Sequence, residues 1–514
     1  MASNPLSFSV ATGQRLAEDA GTSPSTSALS AHQFLCVYGH FYQPPREDPF
    51  TGKIPHEPGA APFDNFNEKI TAECYRPNAE LGNFETISFD LGPTLAAWLE
   101  RAHPDTLARI IAADKRNVAE HGVGNALAQA YNHTILPLAT PRDKETQIAW
   151  GLADFAHRFG RQADGMWLAE TAVDLETLDI LARRGVRYTV LAPWQALETT
   201  ETTEPIDPTE PYRVRLFDGR SISVFFYNGP LSGSVSFDSG ATNNADTFAA
   251  SSLPHHLNPQ KVASQTDQMI VIATDGELYG HHKPWRDYFL TRLTHDDEGA
   301  RAYGFQVTSL GRYLRDHPPT REVTLRTPSA WSCAHGVARW GAGCNCTEGD
   351  ATWKAPLRRA FSHLGAQLDA IFIRETAQTL ADPWAARNAW LTLRNGWMDE
   401  DAFWKRYGAS GARPAPAQAE RARQLLEAQY FGQCMYTSCG FFFEDLERIE
   451  PRNDIAFARR AISLIWQATG VDLQRDFLRD LRETHSWRTG ANGAILYRRL
   501  PPVASGLLPP DSGM

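Results

Sequence analysis

Short apolar runs that end in polar residues recur through the first 300 residues of the chain. Residues 34–38, 165–168 and 269–273 form three such runs, and their length is typical of strands buried on both faces. The stretch 165–191 adds a helix with Asp174 as its N-cap, which predicts a βαβ crossover and therefore parallel strands. This half of the chain is expected to form an α/β fold with a mainly parallel sheet.

Capping and turn signals place the neighbouring elements. Thr140, followed by proline and an acid at Asp143, predicts a helix that runs to Phe159 and ends at Gly160. Two further helices are expected at 93–102 and 106–121. A hairpin is expected at 212–227 around an Asp-Gly turn. Residues 45–90 hold many Pro, Asn and Gly and predict a functional loop insertion.

After about residue 350 the pattern changes to helical periodicity. The predicted helices are 353–381, 383–394, 416–430, 453–468 and 473–484. We therefore expect a disordered N-terminal leader over 1–30, an α/β domain over 31–320, a C-terminal helical domain over 321–500 and a flexible tail over 501–514.

The composition of the chain argues against two classes of binding partner. The formal net charge is -10, and there is no Lys/Arg-rich block, which argues against a nucleic acid or an anionic membrane as the partner. No apolar run approaches the roughly 18 residues that a membrane-spanning helix needs. The seven cysteines are an odd number in a large chain, so a disulfide framework is a poor interpretation and a cytoplasmic location is expected.

Two acids, Glu170 and Asp275, lie where predicted strands end. Ligands of parallel α/β folds bind at the carboxyl ends of the strands, so the two side chains are expected to converge. A carboxyl pair can cleave a glycosidic bond, with a separation of about 5 to 5.5 Å in retaining enzymes. The alternatives are a helix N-terminal acid for Glu170 and a turn-initiating acid for Asp275. Glu277 follows the same strand and competes with Asp275 for the second role.

Aromatic and neutral polar residues around the two acids are typical of a carbohydrate site. Trp167 and Tyr279 offer flat faces for sugar rings, and the histidines and glutamine nearby offer hydrogen bonds to hydroxyls. The predicted substrate-binding residues are His40, Gln43, His133, Trp167, Glu277, Tyr279 and His281. No phosphate-binding or dinucleotide-binding glycine pattern is present. The expected partner is an oligo- or polysaccharide substrate.

Four short motifs together resemble glycoside hydrolase family 57. They are His40-Phe41-Tyr42-Gln43-Pro44, Tyr131-Asn132-His133-Thr134-Ile135-Leu136-Pro137-Leu138, Trp167-Leu168-Ala169-Glu170 and Asp275-Gly276-Glu277-Leu278-Tyr279-Gly280-His281. The resemblance implies an incomplete (β/α)7 barrel followed by a helical region, and retaining activity on α-glucans. It also implies that Glu170 is the nucleophile, Asp275 the acid/base and Glu277 a supporting acid.

The chain departs from this family in three places. Two residues separate His40 from Gln43 in the first motif, and Ala169 stands where proline is usual in the nucleophile motif. The fifth family motif usually has an acid beside an aromatic, whereas the segment 436–444 offers Cys439. The C-terminal half resembles an uncharacterised domain attached to some proteins of this family.

A cysteine-rich loop precedes the helical half. Cys333, His335, Cys344 and Cys346 are candidate zinc ligands, but their Cys-x-His and Cys-x-Cys spacings depart from the common Cys-x2-Cys pattern. The spacing favours a structural or substrate-facing loop, and neither a metal nor a cofactor is predicted. Trp331, in the same loop, could extend a sugar groove together with Trp340 and Trp353, or all three could pack the helical domain.

Two other functions remain open at this point. A metal-dependent polysaccharide deacetylase would use Asp275 with His281 or His282 as metal ligands. A non-catalytic glucan-binding protein would keep the cleft without turnover, and the substituted fifth motif is its support.

Overall fold

The computed structural model of the protein describes residues 33–197, 205–295, 297 and 299–510. The predicted leader at 1–30 and the last four residues of the predicted tail lie outside these residues. Within the described chain, no helix is both long enough and apolar enough to cross a membrane.

Ten short strands form the sheets of the described residues. They are β1 (Gln33–Phe41), β2 (Ser88–Leu91), β3 (Ala126–Gln129), β4 (Met166–Trp167), β5 (Tyr188–Leu191), β6 (Tyr212–Arg215), β7 (Ser221–Phe226), β8 (Gln268–Asp275), β9 (Gln306–Val307) and β10 (Arg321–Glu322). One sheet runs β4-β3-β2-β1-β8 with all neighbours parallel, and β9 also pairs with β1. The other runs β10-β6-β7-β5, in which β5 and β7 are parallel.

The two sheets curve into an incomplete (β/α)7 barrel. A parallel bridge between Gly165 and Tyr188 joins β4 to β5. On the other side, the Asn228 N–H donates a hydrogen bond to the Val271 carbonyl and connects the end of β7 to β8. The predicted crossover and the predicted hairpin, β6 antiparallel to β7, are both confirmed.

Side chains of each barrel strand alternate between two apolar clusters. In β1, Phe34, Cys36 and Tyr38 contribute to a cluster inside the barrel, while Leu35 and Val37 join the core beneath the surrounding helices. In β8, residues 269, 271 and 273 face inward in the same way. Because strand side chains alternate with a period of two, residues 40 and 275 continue the inward-facing rows.

Helices cover the barrel and build the C-terminal half. Those of the barrel half are α1 (Phe66–Ile70), α2 (Arg76–Glu80), α3 (Pro93–Ala102), α4 (Pro104–His121), α5 (Pro141–Phe159), α6 (Leu175–Arg183), α7 (Gly229–Phe237), α8 (Ala245–Thr247), α9 (Pro259–Ala263), α10 (Arg286–Thr294) and α11 (Leu310–Asp316). Those that follow, called the helical region below, are α12 (Lys354–Thr376), α13 (Pro383–Arg394), α14 (Glu400–Tyr407), α15 (Pro416–Cys434), α16 (Cys439–Phe442), α17 (Ile449–Thr469), α18 (Gln474–Leu481) and α19 (Gly493–Arg499).

The capping signals predicted helix ends well. The Thr140 hydroxyl accepts from the Asp143 N–H at the start of α5, and Gly160 has a φ of 71° at its end. Asp174 likewise caps α6. Three short helices of the helical region, α14, α16 and α19, were not predicted, because each offers only about one or two turns of apolar periodicity.

The loop expected at 45–90 is wrong in two respects, because its middle contains the helices α1 and α2 and its end forms a strand. Its last residues form β2, a fully buried strand between β1 and β3. A strand of four residues has too few alternating apolar positions to be recognised among the surrounding Pro, Asn and Gly. Because the sequence does not predict β2, it also does not identify Asp90 as a residue of the site.

Candidate active site

Three side chains lie side by side at the carboxyl ends of neighbouring strands. In the pairing register, His40 on β1 lies opposite Asp90 on β2 and opposite Asp275 on β8. Adjacent strands are about 4.8 Å apart, and positions 40 and 275 belong to the inward-facing rows. The barrel therefore brings two predicted site residues together, with Asp90 as an additional member.

Asp90 holds His40 in place within the barrel. The Asp90 carboxylate accepts hydrogen bonds from His40 Nδ1 at 2.9 Å, the Tyr38 hydroxyl at 2.6 Å and Gln129 Nε2 at 2.7 Å. Burial alone lowers the pKa of His40, but the negative charges of Asp90, Asp275 and Glu277 more than offset it and raise that pKa to about 9. At neutral pH His40 is consequently an imidazolium.

His133 continues the chain of hydrogen bonds from His40. Its Nε2 lies 3.1 Å from His40 Nε2, and its Nδ1 lies 2.6 Å from the Ser438 hydroxyl. Burial and the neighbouring charge of His40 hold the pKa of His133 well below its usual value. A neutral His133 can accept at Nε2 from the His40 imidazolium only if Nδ1 carries its proton, so Nδ1 donates to Ser438.

Aromatic rings form a stack through the interior of the site. Trp167 lies between Tyr38 and His40, with ring centroids 4.9 and 5.1 Å away, and His133 stacks on His40 at 5.0 Å. Trp167 is 0% exposed and Tyr279 is 2% exposed. The expectation that these two rings present open faces to sugars therefore differs from the structure: Trp167 supports a cation, and Tyr279 belongs to the apolar core.

Glu170 lies in a tight turn directly after β4. It adopts a left-handed backbone conformation with φ of 58°, which is costly for a residue with a side chain and is concentrated at functional sites. Its Oε2 accepts hydrogen bonds from the Trp331 indole N–H and the Ser332 hydroxyl, both at 2.8 Å. Burial raises the pKa of Glu170, the two donors oppose this, and the charge of Asp275 raises the pKa further. The charge of Asp275 is therefore felt at Glu170.

Asp275 is accessible to solvent, in contrast to the rest of β8. Loss of hydration nevertheless raises its pKa, while the charges of His40 and His282 lower it. An accessible carboxyl that is also poorly hydrated is typical of a concave site, where protein surrounds the group but leaves one approach open.

Glu277 has a different environment from Asp275, although both follow β8. It is 6% exposed, and its Oε1 accepts from the Tyr75 hydroxyl at 2.7 Å and the Tyr42 N–H at 3.2 Å. Burial, together with the charge of Asp275, raises the pKa of Glu277 to about 7. Glu277 is therefore a buried acid beneath the open carboxyl of Asp275.

The two remaining predicted residues are engaged by protein groups. Gln43 is buried and accepts from Arg46 Nη2 at 2.9 Å, and His281 Nδ1 lies 2.5 Å from a Glu73 carboxylate oxygen. His281 is partly exposed. Both side chains are fixed in orientation before any ligand binds.

The segment 436–444 reaches the site from the helical region. The Ser438 N–H donates to the His133 carbonyl at 3.1 Å, in addition to the side-chain contact. Burial, then the charges of Glu450 and Glu170, raise the pKa of the Cys439 thiol, so Cys439 is a neutral group near Glu170. The segment that departs from the family pattern thus lines the site.

Sequence reasoning missed several residues that shape this site. Asp90 is the last residue but one of β2 and Gln129 is the last residue of β3, and their inward direction follows from strand parity only after these short strands are known. For Trp331 the sequence left groove extension and packing open, and its contact with Glu170 separates it from Trp340 and Trp353, which are buried in the core of the helical region. Ser438 had no local signal.

The four potential metal ligands of the cysteine-rich loop converge in space. One ligand atom from each of Cys333, His335, Cys344 and Cys346 lies within 4.8 Å of the others. Among the described residues, no other group of three or more His, Cys, Asp or Glu converges in this way. The deacetylase alternative, which required Asp275 with His281 or His282, therefore lacks a converging donor set in the part of the chain that the structure describes.

Acidic, imidazole and indole groups thus meet at the carboxyl ends of the strands of an incomplete parallel barrel. The chain belongs to Glycosyl hydrolase family 57, whose sequence model matches residues 33–326. A Domain of unknown function (DUF3536) matches residues 350–504.

Amylases and a branching enzyme are among the similar proteins. Alpha-amylase 1 of Dictyoglomus thermophilum is 29% identical over 142 residues, which cover 26% of this chain and 19% of that protein, so the match spans about a fifth of the curated relative. The exo-type maltose-forming amylase of Pyrococcus sp. ST04 superposes with a TM-score of 0.71 at 14% identity, covering 88% of this chain and 83% of that chain. The GH57-type branching enzyme of Pyrococcus horikoshii gives a TM-score of 0.56 at 14% identity, covering 92% and 98%. At these identities the structures establish a shared fold.

Proposed function

We propose that the protein is a retaining glycoside hydrolase or glycosyltransferring enzyme that acts on α-glucans. Glu170 attacks the anomeric carbon and forms a glycosyl-enzyme, while Asp275 protonates the leaving oxygen and then deprotonates the incoming water or sugar hydroxyl. The observation that carries the proposal is the placement of the two acids: Glu170 is held in a left-handed turn by Trp331 and Ser332, and Asp275 is accessible to solvent at the end of β8.

The hydrogen bonds of Glu170 suit a nucleophile. Trp331 and Ser332 donate to Oε2 alone, and Oε1 has no donor among the described residues. Donors to one oxygen favour the ionised form and fix the rotamer, so the other oxygen can point at the anomeric carbon. The positive charge of His40 lowers the pKa of Glu170 as well.

Accessibility supports Asp275 over Glu277 as the proton donor. A general acid must come within hydrogen-bond distance of the leaving oxygen. Asp275 is open to solvent, whereas Glu277 is buried with Tyr75 and Tyr42 donating to it. The raised pKa of Asp275 also suits a group that must carry a proton when the substrate binds.

The substrate class rests on the family and on its similar proteins, which are amylases and a branching enzyme by name. The proposed substrate-binding residues are His40, Gln43, His133, Glu277 and His281, with Trp167 and Tyr279 supporting them from behind. The half-exposed Trp194 offers a sugar-facing ring, because it packs edge-on against Tyr227, which contacts Trp331 in turn. The cytoplasmic location remains a prediction.

Trapping of the glycosyl-enzyme tests the mechanism directly. A fluorinated α-glucosyl or α-maltosyl fluoride slows breakdown of the intermediate, and peptide mass spectrometry should locate the sugar on Glu170. Glu170→Gln should lower turnover of α-glucans by on the order of 10³-fold or more, whereas Glu176→Gln, on the surface of α6, should not. A sugar on another residue, or products of inverted configuration, would refute the mechanism; no reaction with any α-glucan would favour a binding protein.

Product analysis separates the remaining possibilities. Wild-type protein incubated with amylose, amylopectin and maltooligosaccharides should give shorter chains if water reaches the intermediate, and longer or branched chains if a sugar hydroxyl does. Glu170→Gln treated in parallel identifies any contaminating activity.

A further inference from the structure

The loop that carries Trp331 and Ser332 contains four potential metal ligands, and it has little regular structure. Only the single turn Ala338–Trp340 interrupts irregular chain between β10 and α12. We call residues 331–346 the cysteine loop. We propose that Cys333, His335, Cys344 and Cys346 bind one zinc ion, which holds the cysteine loop in the conformation that presents Trp331 and Ser332 to Glu170.

The distances between the ligand atoms fit a tetrahedral ion. Zinc binds sulfur at about 2.3 Å and imidazole nitrogen at about 2.0 to 2.1 Å. For tetrahedral angles these lengths require sulfur atoms about 3.8 Å apart and a sulfur about 3.5 Å from a nitrogen. Cys333 Sγ and Cys344 Sγ are 3.7 Å apart, and Cys346 Sγ is 3.4 Å from His335 Nδ1. These two distances match a tetrahedral ion, all four ligand atoms lie within 4.8 Å of one another, and none of these cysteines is in a disulfide.

A buried lysine supplies a second, independent reason. Lys354, at the start of α12, is 0% exposed, yet it forms no salt bridge with a described carboxylate. Its ammonium donates only to neutral oxygens, the Thr347 hydroxyl at 3.2 Å and the Phe442 carbonyl at 3.5 Å. Lysine is almost never fully buried without a counter-charge. Zinc with three thiolates and a neutral histidine has a net negative charge. It would therefore provide the missing counter-charge beside Lys354.

The chemistry of the donor set indicates a structural ion. Three thiolates and one imidazole form a closed four-coordinate site without an open position for water or substrate. Cys333 follows Ser332 directly in the chain, and Ser332 donates to Glu170 at 2.8 Å. A clamp at Cys333 therefore restricts the two donors that fix the proposed nucleophile.

Metal analysis of the full chain tests the proposal. Protein purified under reducing conditions without chelator, or supplemented with zinc and then dialysed, should contain about one zinc per chain by mass spectrometry. Cys344→Ser and Cys346→Ser should each lower that content severely. Cys434→Ser, which removes a buried thiol outside the loop, should retain it. Less than about 0.1 zinc per chain in the supplemented wild type would overturn the proposal, as would a disulfide within the loop in the reduced, zinc-supplemented protein.

Two measurements on the wild type avoid reliance on variants that fold poorly. Cobalt substituted for zinc should give the intense visible absorption bands of a tetrahedral thiolate site. The weak bands of octahedral cobalt, or no bands at all, would count against the proposed site. Zinc removal by a chelator should speed amide hydrogen exchange in 329–352 and leave β1 protected. Unchanged exchange in the loop would refute the clamping role.

Discussion

The proton on His40 depends on its contact with Asp90, and Asp90→Asn tests this dependence. A pKa of about 9, against 6.5 for ordinary histidine, corresponds to about 3 kcal/mol of preference for the imidazolium. The substitution keeps the shape of the side chain but removes the nearest negative charge. Burial, which lowers the pKa of His40, would then be opposed only by Asp275 and Glu277, so we expect that pKa to fall.

Histidine-selective NMR provides the assay. The carbon and nitrogen shifts of His40, assigned through a His40→Gln variant, should titrate near pH 9 in the wild type and at lower pH in Asp90→Asn. The exposed pair His56–Asp64 has the same 2.9 Å contact, so Asp64→Asn serves as the control and should leave the His40 titration unchanged. A wild-type His40 that titrates below about pH 7 would refute the reasoning.

The same variant changes stability and activity with pH. The folded-state pKa of His40 lies above its unfolded value, so its stabilisation is fully present below pH 6.5 and is lost as pH rises through about 9. The wild type should lose up to about 3 kcal/mol of unfolding free energy across that window through this group, and Asp90→Asn should not. Because the charge of His40 lowers the pKa of Glu170, the acidic limb of the pH–rate profile should move to higher pH in the variant. The alkaline limb, set by Asp275, should move less, because loss of the Asp90 charge opposes the effect of losing the His40 charge.

Three further predictions concern other parts of the fold. Trp331→Phe removes an N–H donor to the proposed nucleophile and should lower kcat on α-glucans about 10- to 100-fold, whereas Trp340→Phe, whose buried indole N–H has no described partner, should not. Gly276→Ala would place a methyl group 2.4 Å from an aromatic ring of β1 and should reduce activity and thermal stability, while Gly233→Ala meets open space and should be tolerated in a thermal melt. Thr140→Ala removes the α5 N-cap and should lower unfolding free energy by about 1 kcal/mol in urea titrations; no change would show that the cap is redundant.

Local patterns predicted the elements that deliver the carboxyls. β4 and β8 have clear apolar runs, and Thr140 and Asp174 are strong caps, so Glu170 and Asp275 could be placed at strand ends from the sequence. The choice between Asp275 and Glu277 could not be made locally, because both follow one strand. Burial separates them, and burial depends on Tyr75, about 200 residues away.

Most of the site residues that the sequence does not predict depend on contacts between distant parts of the chain. β2 is short and surrounded by turn-forming residues, so the pattern predicts a loop around Asp90. Ser438 and Trp331 reach the site from the helical region and the cysteine loop, and no period in the chain encodes such contacts. The sequence alone does not show which face of β4 carries Trp167, so it predicts a ring that faces the sugar. In the structure the ring lies inside the barrel and stacks on Tyr38 and His40.

The contact between His133 and Ser438 limits how this protein can be divided or recombined. The backbone of His133 is held in a left-handed conformation with φ of 53°, while its side chain and carbonyl are both bonded to Ser438. A barrel expressed alone would expose this strained corner and leave the ring free to rotate away from His40. Any chimera that exchanges the C-terminal half must therefore carry the segment 436–444 with the barrel it serves.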